Sequence, residues 1–228
     1  MPPDRTLSRC LWIVVILLAV IGVAVGTRRA MVLLYPRQSV AAKNPAASLD
    51  ARFADHRALT LTHILPGMLF MVLGPLQFMS RLRTRCPRFH RWNGRTFLLA
   101  SLVLGVAGLA MAAGGTIGGW DERAAIFVFG SFFLFALAKA FQHVLRRNFA
   151  SHREWMIRGY AIGLAVAAIR PIMGTFFAAA ALRGQTPQPQ HFFGMAFWIG
   201  FVLAASTAEV WIRYTRNRPL EASPAALR

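Results

Sequence analysis

Six histidines stand among the 228 residues of this chain, and three of them, His90, His143 and His152, fall beside arginines at the ends of apolar runs. A neutral imidazole presents a nitrogen lone pair, so two imidazoles on facing helices can hold a haem iron axially. The stretches His90-Arg91-Trp92-Asn93-Gly94-Arg95 and His152-Arg153-Glu154-Trp155-Met156-Ile157-Arg158 both set His-Arg and then Trp just ahead of an apolar run. Bis-histidine ligation also needs small residues beside the macrocycle and basic groups for its propionates, roles open to Gly94, Gly159, Arg95 and Arg158. On that reading His90 and His152 are the iron ligands of a haem b in an electron-transfer module, and His143 sits beside the cofactor or takes no part. The alternative is cofactor-free, because short cationic connections collect His and Arg that merely touch lipid phosphate. Zinc is the second metal suggested, since Cys86 lies four residues before His90 and His143 with His152 would complete a tetrahedral set.

His63 is different, because it lies inside an apolar run, where an ionisable group is by default a functional candidate. Gly67 opens space one turn along, and Pro66 and Pro75 are expected to bend the helix. His56 is about 10 Å away at 1.5 Å per residue, too far to share one ion with His63. His191 could face His63 across the bundle; otherwise His63 is a hydrogen-bonded structural residue. Lys139, Arg170 and Glu209 also fall within apolar runs. Lys139 and Glu209 lie at similar depth and are expected to pair, whereas Arg170, just before Pro171, is deeper and needs a carboxylate, a carbonyl or a water cavity. Glu209 is the only intramembrane acid on this reading, so proton-coupled transport ranks third. No catalytic signature emerges, and no reaction is assigned.

The elements that must hold these residues follow from composition. The chain is 56% hydrophobic and 15% charged, and 26 Lys and Arg stand against 8 Asp and Glu for a formal net charge of +18. In a soluble chain that charge would suggest a nucleic-acid partner. Here the basic residues sit in gaps between apolar runs, which is the mark of membrane topology and not of nucleic-acid binding. Six runs approach the roughly 20 residues that a helix needs to cross a bilayer, at 10–26, 59–80, 96–119, 123–144, 159–182 and 192–212. The expected fold is a single all-α integral membrane domain of six transmembrane helices in the lipid bilayer. With the N-terminus cytoplasmic, the inner segments hold two basic residues before the first run, six in Arg81–Arg95, four in Arg146–Arg158 and four in the 213–228 tail, 16 against 8 outside. Both termini are therefore expected inside, in a bacterial inner membrane.

The first run follows Arg5 and Arg9 and reads as a retained anchor, or as a signal peptide cut after Ala24-Val25-Gly26. Cys10 and Cys86 are far apart and imply no disulfide framework. The long outer connection, 27–58, has a flexible middle at Ala41–Ser48, then a helix start at Ser48 and Asp50. Leu49, Phe53, His56, Thr60, His63 and Gly67 follow in steps of four and three, so a short interfacial helix is expected to lead into the second span.

The two His-Arg segments are 62 residues apart and each follows a descending apolar helix. They imply a duplicated helical hairpin in parallel orientation, spans two and three matching spans four and five as a central four-helix bundle. Small residues mark the contact faces: Ser101, Gly105, Gly108, Ala112, Gly115 and Gly119 in span three, and Gly159, Gly163, Ala167 and Gly174 in span five. Without a hydrophobic drive in lipid, such faces mark another helix or a bulky ligand. Ser151 with Glu154 reads as a capping box that puts His152 at the first helical position, and Pro87 suits a first turn ahead of His90.

Along His63-Ile-Leu-Pro-Gly67, Gly74-Pro75-Leu76-Gln77-Phe78 and the two His-Arg segments, the chain resembles a family of bacterial multi-pass predicted membrane proteins, domain-of-unknown-function family 2306. The resemblance covers about residues 60 to 175 and implies membrane class without a known chemistry. A looser similarity runs to b561-type diheme cytochromes, in which four central helices each give one haem-ligating histidine and the third and fifth spans pair on one side. His90 and His152 match that pair. His63 and His143 depart from it, lying toward opposite ends of spans two and four. Two functional expectations stand side by side: a haem b electron-transfer module, or a cofactor-free protein that binds lipid, a small apolar molecule or a partner protein.

Overall fold

The computed structural model describes residues 5–35, 53–185 and 189–216. All regular structure among them is helical: α1 (Arg5–Leu34), α2 (Arg57–Phe78), α3 (Ser80–Arg85), α4 (Pro87–Gly114), α5 (Gly119–Leu145), α6 (Phe149–Leu182) and α7 (Pro189–Arg216). Every one except the six-residue α3 is long and apolar enough to cross a membrane, which gives six spans. The expected helix start at Ser48 and Asp50 lies outside the described residues.

Local chemistry sets several helix ends. Pro87 opens α4 directly after its cap, Cys86, where a missing N–H costs nothing. Gly115 ends α4 at φ 129°, a conformation that side chains disfavour. The turn between α4 and α5 therefore falls at 115–118, about one helical turn earlier than the hydropathy boundary, and Glu122 belongs to the first turn of α5. In α6 the cap is Asn148, whose side chain accepts from the Ser151 N–H at 3.1 Å. His152 is thus the fourth residue of α6 and not the first, and Glu154 is left for other partners. At the other end of the chain α1 runs eight residues past Gly26 to Leu34, carrying Arg28 and Arg29 into the helix. Pro66 and Pro75 stand inside α2, which continues through both; neighbouring helices make such prolines tolerable in a membrane.

The centre is aromatic. Phe70 of α2 stacks on Phe97 of α4 at 4.9 Å, meets Phe133 of α5 edge-on at 5.8 Å and lies 5.2 Å from Tyr160 of α6. Each of the four central helices contributes one ring, and all four rings are buried. The small-residue faces receive them: a Cβ at Gly74 would collide with Tyr160, one at Gly163 with Phe70, and one at Gly105 with Phe133 and Leu134. α1 packs against α2 and α6, and α7 against α5 and α6. One end of the bundle carries the arginine-rich connections 79–86 and 146–148 and is called the basic end below; the other is the far end.

Candidate functional site

At the basic end the structure brings together two of the predicted histidines and a third beside them. His90 is the fourth residue of α4, as His152 is of α6, and the two stand within Coulombic range of each other. His143, in the last turn of α5, is within the same range of His152. The Nδ1 of His152 lies 2.8 Å from the Ala140 carbonyl. A carbonyl can only accept, so Nδ1 is the protonated nitrogen and the Nε2 lone pair stays open, the tautomer that a metal-ligating histidine uses. The backbone carbonyl of His90 accepts from Gln77 Nε2 at 3.2 Å, while the Nδ1 atoms of His90 and His143 are buried without a partner.

Side chains already stand beside both glycines: a Cβ on Gly94 would lie 3.0 Å from Gln77 Nε2, and one on Gly159 would lie 3.3 Å from Leu137. Arg95 is exposed and stacks over Trp92 at 5.3 Å, on the outside of α4. Arg158 is committed to carboxylates: it donates to both Glu209 oxygens, the longer bond at 3.1 Å, and lies 3.8 Å from Glu154. Glu209 therefore takes Arg158, not Lys139, as its partner. Glu154 in turn accepts two 2.9 Å bonds from Arg216, and Arg153 donates to Thr215, so these groups lock α6 to α7. Cys86 is exposed at the α3–α4 junction, and among the described residues no three His, Cys, Asp or Glu side chains assemble a metal site, so the zinc set is not formed.

At the far end a cavity of about 560 Å³ lies among all six spans. Its walls are mostly apolar, with Met68, Met71, Leu104 and Phe197 among them, and Phe133 and Gly163 close it at the aromatic centre. Glycines 22, 26, 67 and 108 are on its wall, and each receives a side chain that also lines it: Met71, Met68, Leu104 and His63 in turn. His63 lines it, donating through Nδ1 to the Leu104 carbonyl at 3.1 Å, so its Nε2 is the acceptor. Gly108 accommodates that ring, since a Cβ there would stand 3.1 Å from His63 Cε1. His191 is exposed and does not line the cavity, so it is not the partner of His63.

Arg170 lies deep among the helices yet keeps accessible surface, because it lines this cavity. The carboxylate it required is within Coulombic range: Glu122, 5% exposed, which accepts from the Gly118 N–H at 2.6 Å. Glu122 is thus a buried acid in the first turn of a span helix, beyond the Glu209 that hydropathy singled out. Arg29 was placed in an outer connection but is buried in α1, 4.3 Å over the Phe53 ring and on the cavity wall. The glycines at 114, 115, 118 and 119 were the available signal for Glu122, since they end one helix early enough to take the acid into the next. Thr60, 1% exposed, donates to the Phe53 carbonyl at 3.0 Å and holds that segment over α2.

Compared with known proteins, residues 60–212 match a family model described as "Predicted membrane protein (DUF2306)". No curated protein and no solved structure matches the chain, and the looser likeness to b561-type cytochromes finds no support in these comparisons.

Proposed function

The chain belongs to the DUF2306 family of predicted membrane proteins, and from that premise we propose that it is a bacterial inner-membrane protein whose far-end cavity takes up a small amphipathic molecule. The observation that carries this reading is the cavity itself, about 560 Å³ with apolar walls and a few polar groups, the usual character of a small-molecule site. An apolar body would lie along Met68, Met71 and Leu104. A head group would reach the acceptor Nε2 of His63 and the donor guanidinium of Arg170, with Glu122 balancing the arginine. A hydroxyl or carbonyl head satisfies such a pair; a wholly apolar ligand would leave both groups unpaired at a cost.

The test is extraction and mass spectrometry of protein purified in mild detergent, beside a variant with the cavity filled. Gly114 lines the cavity, and a Cβ there meets no heavy atom within 4 Å, so Gly114→Trp starts its added bulk from an unobstructed position on the wall. The wild type should carry an amphipathic molecule that raises its stability, by about 2.7 kcal/mol at a hundredfold excess over Kd. The variant should lose both the molecule and the gain while melting close to the ligand-free wild type. A wild type that carries nothing and does not respond to added lipid extract overturns the reading.

A second reading keeps haem b between His90 and His152, favoured by the neighbouring imidazoles and by the open Nε2 that the Ala140 contact leaves on His152. Protein expressed with adequate haem should then give the reduced-minus-oxidised spectrum of a low-spin bis-histidine centre, abolished by His90→Ala or His152→Ala and largely kept by His143→Ala. Folded protein that stays colourless and takes up no haem ends that reading.

Duplication of the hairpin belongs to the same proposal. What supports it is spacing: 63 residues separate Phe70 from Phe133, Phe97 from Tyr160, and Gly67 from Gly130. The parallel repeats are read as two halves about an axis along the membrane normal.

A further inference from the structure

The first turns of α4 carry a charge that no acid balances among the described residues around them. No Asp or Glu occurs between Asp55 and Asp121, while six arginines crowd Arg81–Arg95. The described acids at this end are engaged elsewhere, Glu154 and Glu209 by Arg158 and Arg216. Arg88, Arg91, Trp92 and Arg95 line a shallow pocket of about 210 Å³ on the outer face of α4. Trp92 is 67% exposed, with the Arg95 guanidinium stacked over it.

The same helical stripe continues in steps of four and three through Leu99, Leu102 and Val106, which are 64%, 53% and 53% exposed. A cationic pocket thus tops an apolar strip on one face of one helix. We propose that this face binds an anionic phospholipid, its phosphate between Arg91 and Arg95 and its acyl chain along Leu99, Leu102 and Val106. Arginine offers a planar fork that matches phosphate oxygens, and an exposed tryptophan belongs at the level of the lipid head groups. The apolar strip selects lipid over a soluble phosphate, which would have no use for it.

The experiment is native mass spectrometry of the full chain released from nanodiscs holding equal parts of phosphatidylglycerol and phosphatidylcholine. Phosphatidylglycerol should be retained preferentially, and Arg91→Gln with Arg95→Gln should weaken retention about fivefold per arginine removed. Both side chains are exposed, so the helix packing is untouched; gel filtration verifies it. Arg146→Gln with Arg147→Gln removes the same charge from the neighbouring connection and should leave retention nearly unchanged. No preference for phosphatidylglycerol, equal loss in the two double variants, or displacement by excess inorganic phosphate would each overturn the proposal, the last by making it a site for free phosphate.

Discussion

Arg158 joins three carboxylate contacts into one network at the basic end of α6 and α7, and its own side chain is only 13% exposed. Removing Glu209 takes away its bidentate partner and leaves the guanidinium with the 3.8 Å contact to Glu154. Hydrogen bonds to charged groups are worth roughly 1.5–3 kcal/mol, and the partial exposure of Glu209 puts this one near 1–2 kcal/mol. Glu209→Gln should therefore lower the melting temperature in detergent measurably, while Lys139→Met should do little. Adding Arg158→Met to Glu209→Gln should cost less than the two single losses together, because the second removal takes away a charge already deprived of its partner. Strictly additive losses would show that the two groups are not coupled. At this scale the sequence revealed which residues were unusual but not whom they meet. Glu209, Lys139 and Arg158 all stand near one end of the bundle, and hydropathy alone cannot tell which of two cations an acid will choose. That choice depends on rotation about the helix axes: α6 faces α7 along its Arg153–Arg158 turn. Arg29 and Glu122 escaped hydropathy for a related reason: α1 continues past the end of its apolar run, and α5 begins four residues before its run at 123–144.

Element by element, length and hydropathy identified the spans because a bilayer demands long apolar helices and little else can supply them. The ends were less legible. Local caps compete: the chain turns at Arg147, φ 57°, and Asn148, three residues before Ser151, caps the start of α6. The glycine faces taught a similar lesson. Spacing in fours and threes correctly marked Gly105, Gly159 and Gly163 as places of close approach, but a small face admits a ligand or a neighbour's side chain equally well. In α4 and α6 it is Phe133, Leu137 and Phe70 that enter. Those rings come from helices distant in sequence, and their partners cannot be read from the glycines themselves. The far-end cavity could not be seen from any one helix either, because all six contribute to its wall.

For the molecule as a whole, the orientation we propose, with both termini inside, rests on where positive charge resists crossing the bilayer. The basic end holds Arg81 to Arg95 without a single acid, a segment whose translocation would oppose the membrane potential and the positive-inside bias. In the connection between α4 and α5, Asp121 and Glu122 stand in the first turn of α5 beside Arg123, so its charges are mixed and offer little resistance to export. The proposed orientation rests on that contrast together with the count of 16 basic residues against 8. A reporter active only in the cytoplasm, fused after Arg147 or at the C-terminus, should be active, and the same reporter fused after Gly184 should be silent. A reporter active only after export should give the reverse pattern. An exported C-terminus would put the histidines on the outer face and would turn the cavity toward the cytoplasm, so that its amphipathic guest would have to enter from the inner leaflet.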